Sequence, residues 1–149
     1  MKKIIVFFGI LLLTNCGYQP IFSGKDSNFL LKEIIFDEDD KISLKIKNKL
    51  NYLTSVENYN KIIKLKLKSK KKIDISSKDA KGNALIYKMT INTDFEINFN
   101  DKKNKKKSIS KNFSYKNISN KFDLKQYEKT IEENLIDAIN KDIILILYN

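Results

Sequence analysis

Few side chains in this 149-residue sequence can do chemistry. It has one cysteine, Cys16, no histidine and no tryptophan, and every basic residue is a lysine. A lone cysteine excludes an internal disulfide. Without histidine or a second cysteine, the common zinc, copper and haem ligands and the Ser–His and Cys–His catalytic pairs are missing. No cofactor or metal is therefore expected. The acid–base candidates that remain are Asp37, Glu38, Asp39 and Asp40, and the pair Asp94 and Glu96. The first group stands just before a helical pattern, where an aspartate caps a helix and negative charge complements its dipole. Four consecutive carboxylates do not converge on one ion without a dedicated loop, and no calcium-loop glycine follows them. Asp94 and Glu96 fall on the wet side of a strand pattern, where charged residues are ordinary. An enzyme is not expected.

Lysine amines are the most abundant reactive groups. Lys70, Lys71 and Lys72 form one run, and Lys102, Lys103, Lys105, Lys106 and Lys107 form another. Both read as loop lysines, flexible point charges suited to phosphates or to an acidic partner. The net charge is +11, and +9 once Lys2 and Lys3 are removed. Lys, Ile and Asn abound together, which points to a coding bias and dilutes the inference. The general expectation is affinity for anionic surfaces, phosphates or acidic proteins.

The segments that position these groups begin with residues 1–15. Lys2 and Lys3 precede an apolar run, Ile4 to Leu13. Ten helical residues span about 15 Å, against roughly 30 Å of bilayer hydrocarbon, so the segment reads as an export signal rather than a span. Leu13-Thr14-Asn15-Cys16 resembles the lipobox of bacterial lipoproteins, with Asn15 where Gly, Ala or Ser is commoner. That resemblance implies an N-acyl and S-diacylglycerol group on Cys16 and a mature chain held to a membrane outside the cytoplasm. Nucleic-acid binding, suggested by charge alone, is then not expected. Residues 16–28 hold Pro20 and two of the four glycines, and read as a tether. Residues 29–149 read as one domain.

Within that domain, Phe29 to Phe36 is a short apolar run, a buried strand. Ile42, Ile46, Leu50 and Leu53 share one helical face, and the helix fades over Thr54 to Tyr59. Ile62 to Lys68 alternates as a half-buried strand, and Ile73 and Ile75 continue or restart it. Residues 78–83 are a turn. Leu85, Tyr87, Met89, Ile91, Thr93, Phe95, Ile97 and Phe99 occupy every second position, a strand with one dry face. A hairpin loop follows over Asp101 to Lys107. Ile109, Phe113 and Tyr115 mark another strand. From Phe122, the positions Leu124, Tyr127, Ile131, Leu135, Ala138, Ile139, Ile143 and Ile146 step by three and four as a helix, with Glu132 and Glu133 placed near its start. Its tail, Ile143 to Leu147, is apolar all round and must be packed deeply or covered by a partner. The fold class expected is α+β: a two-layer sandwich with a four-stranded sheet, in the order strand, helix, three strands, helix, and both helices on one face.

Cys16-Gly17-Tyr18-Gln19-Pro20-Ile21-Phe22 resembles the Cys-Gly-[Phe/Tyr]-x-Pro-[Leu/Ile]-[Tyr/Phe] opening of the LptE family of lipopolysaccharide-assembly lipoproteins. The element order is also similar to that family's. So is Ser114-Tyr115-Lys116-Asn117 leading through Phe122 into a final helix with Glu128, Ala138 and Ile143. The resemblance implies a non-enzymatic protein anchored by lipid to the periplasmic face of the outer membrane. It implies an LptD-like β-barrel and lipopolysaccharide as partners. The lysines Lys70 to Lys72 and Lys102 to Lys107 are the candidate contacts, and Gly17 is compatible with sorting to the outer membrane. Another envelope lipoprotein, accessory to barrel assembly or to an export machine, is the alternative.

Overall fold

A computed structural model describes residues 28–99 and 103–148. The segments expected to be an export signal and, as far as residue 27, a tether, together with Cys16 and Lys102, lie outside the described residues. Four strands and two helices follow in the expected order: β1 (Phe29–Ile35), α1 (Lys41–Leu50), β2 (Lys61–Lys78), β3 (Ala84–Phe99), β4 (Lys103–Lys116) and α2 (Lys121–Tyr148). The sheet order is β1-β2-β3-β4. β1 runs parallel to β2, a pairing that needs a crossover. The crossover is α1 and the 3-10 turn Asn51–Thr54 behind it. β2, β3 and β4 form an antiparallel meander.

α1 starts where predicted. Asp40 is its N-cap, and the carboxylate accepts from the Ser43 amide at 2.9 Å and the Ser43 hydroxyl at 2.6 Å. Ile42, Ile46, Leu50 and Leu53 are all buried. The β2–β3 turn is built by Asp79, whose carboxylate accepts from the amides of Lys81 and Asn83 at 2.9 and 2.8 Å. Gly82 there takes φ +86°, a value that a side chain would strain.

Direct cross-strand partners share a face of the sheet. Ile63, Leu65 and Leu67 of β2 lie opposite Phe99, Ile97 and Phe95 of β3. These, with Ile91 and Met89, form the floor of the core under both helices. The dry face of β3 is shorter than the alternation suggests, because Leu85 is exposed at the hairpin end. The apolar tail of α2 is closed mainly by the chain itself. Ile143, Ile144 and Leu147 are buried, Leu145 is exposed, and Tyr148 meets Phe29 edge to face at 5.2 Å.

Three expectations are corrected. Lys70 to Lys72 are not in a loop: β2 continues unbroken through them, because each pairs with β3, at Asn92, Ile91 and Thr90. Lys103 to Lys107 are not in a loop either, since β4 begins at Lys103 and pairs at once with Phe99. Only residues 100–102 separate the two strands. Finally, Glu132 is not near a helix start. It lies three turns into α2, which begins at Lys121, beyond the reach of the terminal dipole.

Candidate functional site

The pleat divides both lysine runs. Side chains opposite buried residues of β3 stand on the helix face, and their neighbours stand on the other, open face. Lys71 pairs with Ile91 and stands on the helix face, whereas Lys70 and Lys72 stand on the open face. In β4, Lys105 and Lys107 pair with Ile97 and Phe95 on the helix side, and Lys106 pairs with Glu96 on the open face. Lys103 pairs with Phe99.

Lys71 is already committed within the molecule. Its amine donates to Glu132 of α2 at 2.5 Å, and the second oxygen of Glu132 accepts from Lys45 of α1, also at 2.5 Å. Lys45 further pairs with Glu133 at 2.8 Å, and Lys49 of α1 pairs with Asp137 at 2.7 Å. The Glu132 side chain is 11% exposed, against 33% for Lys45 and 39% for Lys71. Burial alone would raise the Glu132 carboxyl, but the hydrogen bonds and charges of Lys45 and Lys71 outweigh it and hold it below its ordinary value. The same bonds, with Glu133, raise Lys45. This cluster ties both helices to the sheet. Lys71 thus has a structural partner in Glu132, which the sequence pattern did not reveal, while its side chain remains 39% exposed.

A second polar cluster joins α1 to β2. Besides capping α1, Asp40 accepts the Ser69 amide of β2 at 2.6 Å, and the Ser69 hydroxyl bonds Ser43 at 2.9 Å and Thr93 at 3.0 Å. At the opposite end, the Tyr115 hydroxyl donates to Glu128 at 2.6 Å. Burial, with that carboxylate beside it, pushes the Tyr115 phenol above its ordinary value. Every acid–base candidate now has a place. Asp40 is a cap, Asp37 to Asp39 are exposed before α1, and Asp94 and Glu96 stand on the open face.

The open face carries the feature that the lysine runs only partly signalled. Lys64, Lys66, Lys68, Lys70 and Lys72 of β2 form one column along it. Alternate residues are about 6.6 Å apart, so the column extends roughly 26 Å. The alternation in Ile62 to Lys68 was the available signal for its first half. Asp94 and Glu96 sit opposite Lys68 and Lys66, and among the described residues neither is drawn into an ion pair within 4.0 Å. β4 adds Lys106 and Ser108 to the same rows. A groove of about 480 Å³ lies there, lined by Lys66, Lys68, Asp94, Glu96, Lys106 and Ser108. Exposed amines on such a surface are able to pair with phosphates or with a polar wall. Lys105 contributes elsewhere, its amine lying over the Phe99 ring at 5.4 Å on the helix side.

No protein-family model and no curated protein matches the sequence. Solved structures do match the fold. Lipoprotein B from Nitrosomonas europaea superposes with a TM-score of 0.59 at 10% identity, over 87% of this chain and 90% of that one. The rare lipoprotein B from Shewanella oneidensis gives 0.57 at 14% identity, over 77% and 92%. A minor lipoprotein from Acinetobacter baumannii gives 0.55 at 14% identity, over 78% and 87%. The α+β sandwich of this chain is therefore a fold that it shares with bacterial lipoproteins.

Proposed function

We propose that this chain is a non-enzymatic outer-membrane lipoprotein of the LptE type. In this reading Cys16 carries the lipid, and the domain docks as plug and assembly partner in an LptD-like barrel. There it takes part in the transport and insertion of lipopolysaccharide into the outer leaflet. The observation that carries the reading is the coincidence of two independent features. A lipobox-like end runs into Cys-Gly-Tyr-Gln-Pro-Ile-Phe at residues 16–22, and the domain behind it has a fold found in bacterial lipoproteins.

The physics of the domain is compatible with this role. A plug needs a closed core and a wet exterior able to pair with a polar lumen. The helix face is buried under α1 and α2 over the core from Ile63 to Leu67 and Met89 to Ile97, and the open face offers a lysine column and a groove holding both signs of charge. Lysines there would neutralise lipid phosphates as point charges. Lys66, Lys68, Lys70 and Lys106 lead that role on the open face, and Lys71 stands on the other face paired with Glu132.

The test is purification of the tagged full-length chain from outer membranes in detergent, with identification of what accompanies it. One large LptD-like barrel is expected. A different envelope machine would replace this reading with the accessory-lipoprotein alternative. Replacing Cys16 while keeping export should weaken membrane retention more than barrel binding. Complete loss of barrel binding in the unlipidated chain counts against a tether role for the lipid.

A further inference from the structure

β1 covers only the beginning of β2. Their pairing ends at Ile35 and Lys66, while β2 runs on to Lys78 with no strand from the described residues on that side. The first outward amide beyond β1 is that of Ser69, and it is satisfied by the Asp40 carboxylate at 2.6 Å. By the period of two, the amides of Lys71, Ile73 and Ile75 point the same way. Nothing among the described residues meets them. An edge of unpaired amides and carbonyls is a template for another strand.

The side chains along this edge select what would pair with it. On the helix face Ile73 and Ile75 are 39% and 50% exposed, and Phe122 of α2, which shares a groove with Ile73, is 68% exposed. A groove of about 370 Å³ runs between this edge and α2, lined by Ile73 and Phe122 together with Lys125 and Lys129. The two glutamates in its wall are engaged, Glu128 by Tyr115 and Glu132 by Lys45 and Lys71. Lys125 and Lys129 have no carboxylate partner among the described residues. On the open face the same edge presents Lys70 and Lys72, the latter beside Asp74 at 2.8 Å. One face of the edge is thus apolar with a cationic rim, and the other is cationic.

We propose that the β2 edge from Lys71 to Ile75 accepts an added strand from a partner protein, an extended segment alternating apolar residues and carboxylates. Its apolar side chains lie against Ile73, Ile75 and Phe122, and its carboxylates face Lys70 and Lys72. The backbone ladder supplies affinity and the alternation supplies specificity. Cross-strand apolar and opposite-charge pairs favour this register over its one-residue slip. The inference does not depend on the partner being a barrel.

The probe is a short peptide alternating valine and glutamate, with an alternating valine–lysine peptide as control, titrated into the full-length chain in detergent. Amide exchange read by NMR should slow at Lys71, Ile73 and Ile75 with the acidic peptide and stay unchanged with the basic one. Ile73→Pro removes one outward amide and leaves the β2–β3 ladder whole, a position that tolerates proline. It should weaken the acidic peptide about tenfold or more. Phe122→Ser, outside the sheet, should weaken it by a smaller factor while the circular dichroism spectrum is retained. Equal binding to both variants and the parent overturns the proposal. So does slowed exchange confined to β4. Slowed exchange at the β2 edge that rises with protein concentration before peptide is added also overturns it, in favour of pairing between two copies of this chain.

Discussion

Two runs of three lysines, Lys70–Lys72 in β2 and Lys105–Lys107 in β4, look alike in sequence and are treated differently by the fold. Each is split by the pleat, with the outer pair and the middle residue on opposite faces. In β2 the middle residue, Lys71, faces α2 and is held by Glu132. In β4 the middle residue, Lys106, faces solvent above the groove, and all three side chains are exposed. The difference is what lies above each strand. The middle of α2 passes over β2 close to Lys71 with a glutamate in place, whereas Lys105 to Lys107 stand where no ion pair with a described residue holds them. A charge run is therefore not one functional unit. Its members take their roles from the elements opposite them.

The strongest way to break this contrast is to remove the group that creates it. Glu132→Ala leaves Lys45 and Lys71 without their shared carboxylate. Loss of a partner from a buried pair is severe, but both lysines are about a third exposed, so a destabilisation of about 2 kcal/mol is expected. Urea unfolding measures it, and a change below about 0.5 kcal/mol would place Lys71 on a par with the β4 lysines. Lys71→Ser should cost less, about 1 kcal/mol, because Lys45 still satisfies one oxygen of Glu132.

Acid sharpens the same point. The Glu132 carboxyl is held low, so its contribution is whole above its ordinary value of 4.5 and is lost as pH falls through the lowered one. Lys45 is held high, so its contribution is whole below 10.5 and is lost only as pH rises through its raised value. The melting temperature should therefore carry no loss from this cluster between those limits and should fall in acid. In Glu132→Gln the part of the acid fall due to this residue should vanish. An unchanged acid slope in that variant would remove Glu132 from the explanation.

The smallest stability effect is expected in β4. Changing Lys105, Lys106 and Lys107 together to Ser should alter stability by no more than about 0.5 kcal/mol, as for ordinary surface substitutions. The same variant should weaken binding to lipopolysaccharide micelles in a salt-dependent way. Unchanged micelle binding would confine the lysine role to the β2 column or remove it.

Much of the fold is legible in the sequence. The apolar period of 3.6 located α1 and α2, and the period of two located β3 with its dry face from Met89 to Ile97. Asp40 was recognisable as a cap within a run of four acids. The extent of β2 and the start of β4 were not legible. A strand with lysines on both faces has no apolar alternation to reveal it. At Lys70 to Lys72 and Lys103 to Lys107 the strand state comes from hydrogen bonding to β3, a neighbour that periodicity does not identify. The lysine column was half legible, since Lys64, Lys66 and Lys68 alternate with Ile63, Leu65 and Leu67.

By itself the sequence determined the order of elements, the faces that would be buried and the chemistry left out by the absence of histidine and a second cysteine. Those properties are local, set by side-chain type and by the geometry of one helix or strand. Only the tertiary structure decided that Glu132 would meet Lys71 and Lys45, residues 61 and 87 positions away. It also decided that β1 would stop short of the Lys71–Ile75 edge. Those outcomes depend on strand register and on the path of α2 across the sheet, and both are properties of how elements meet rather than of any one stretch of chain.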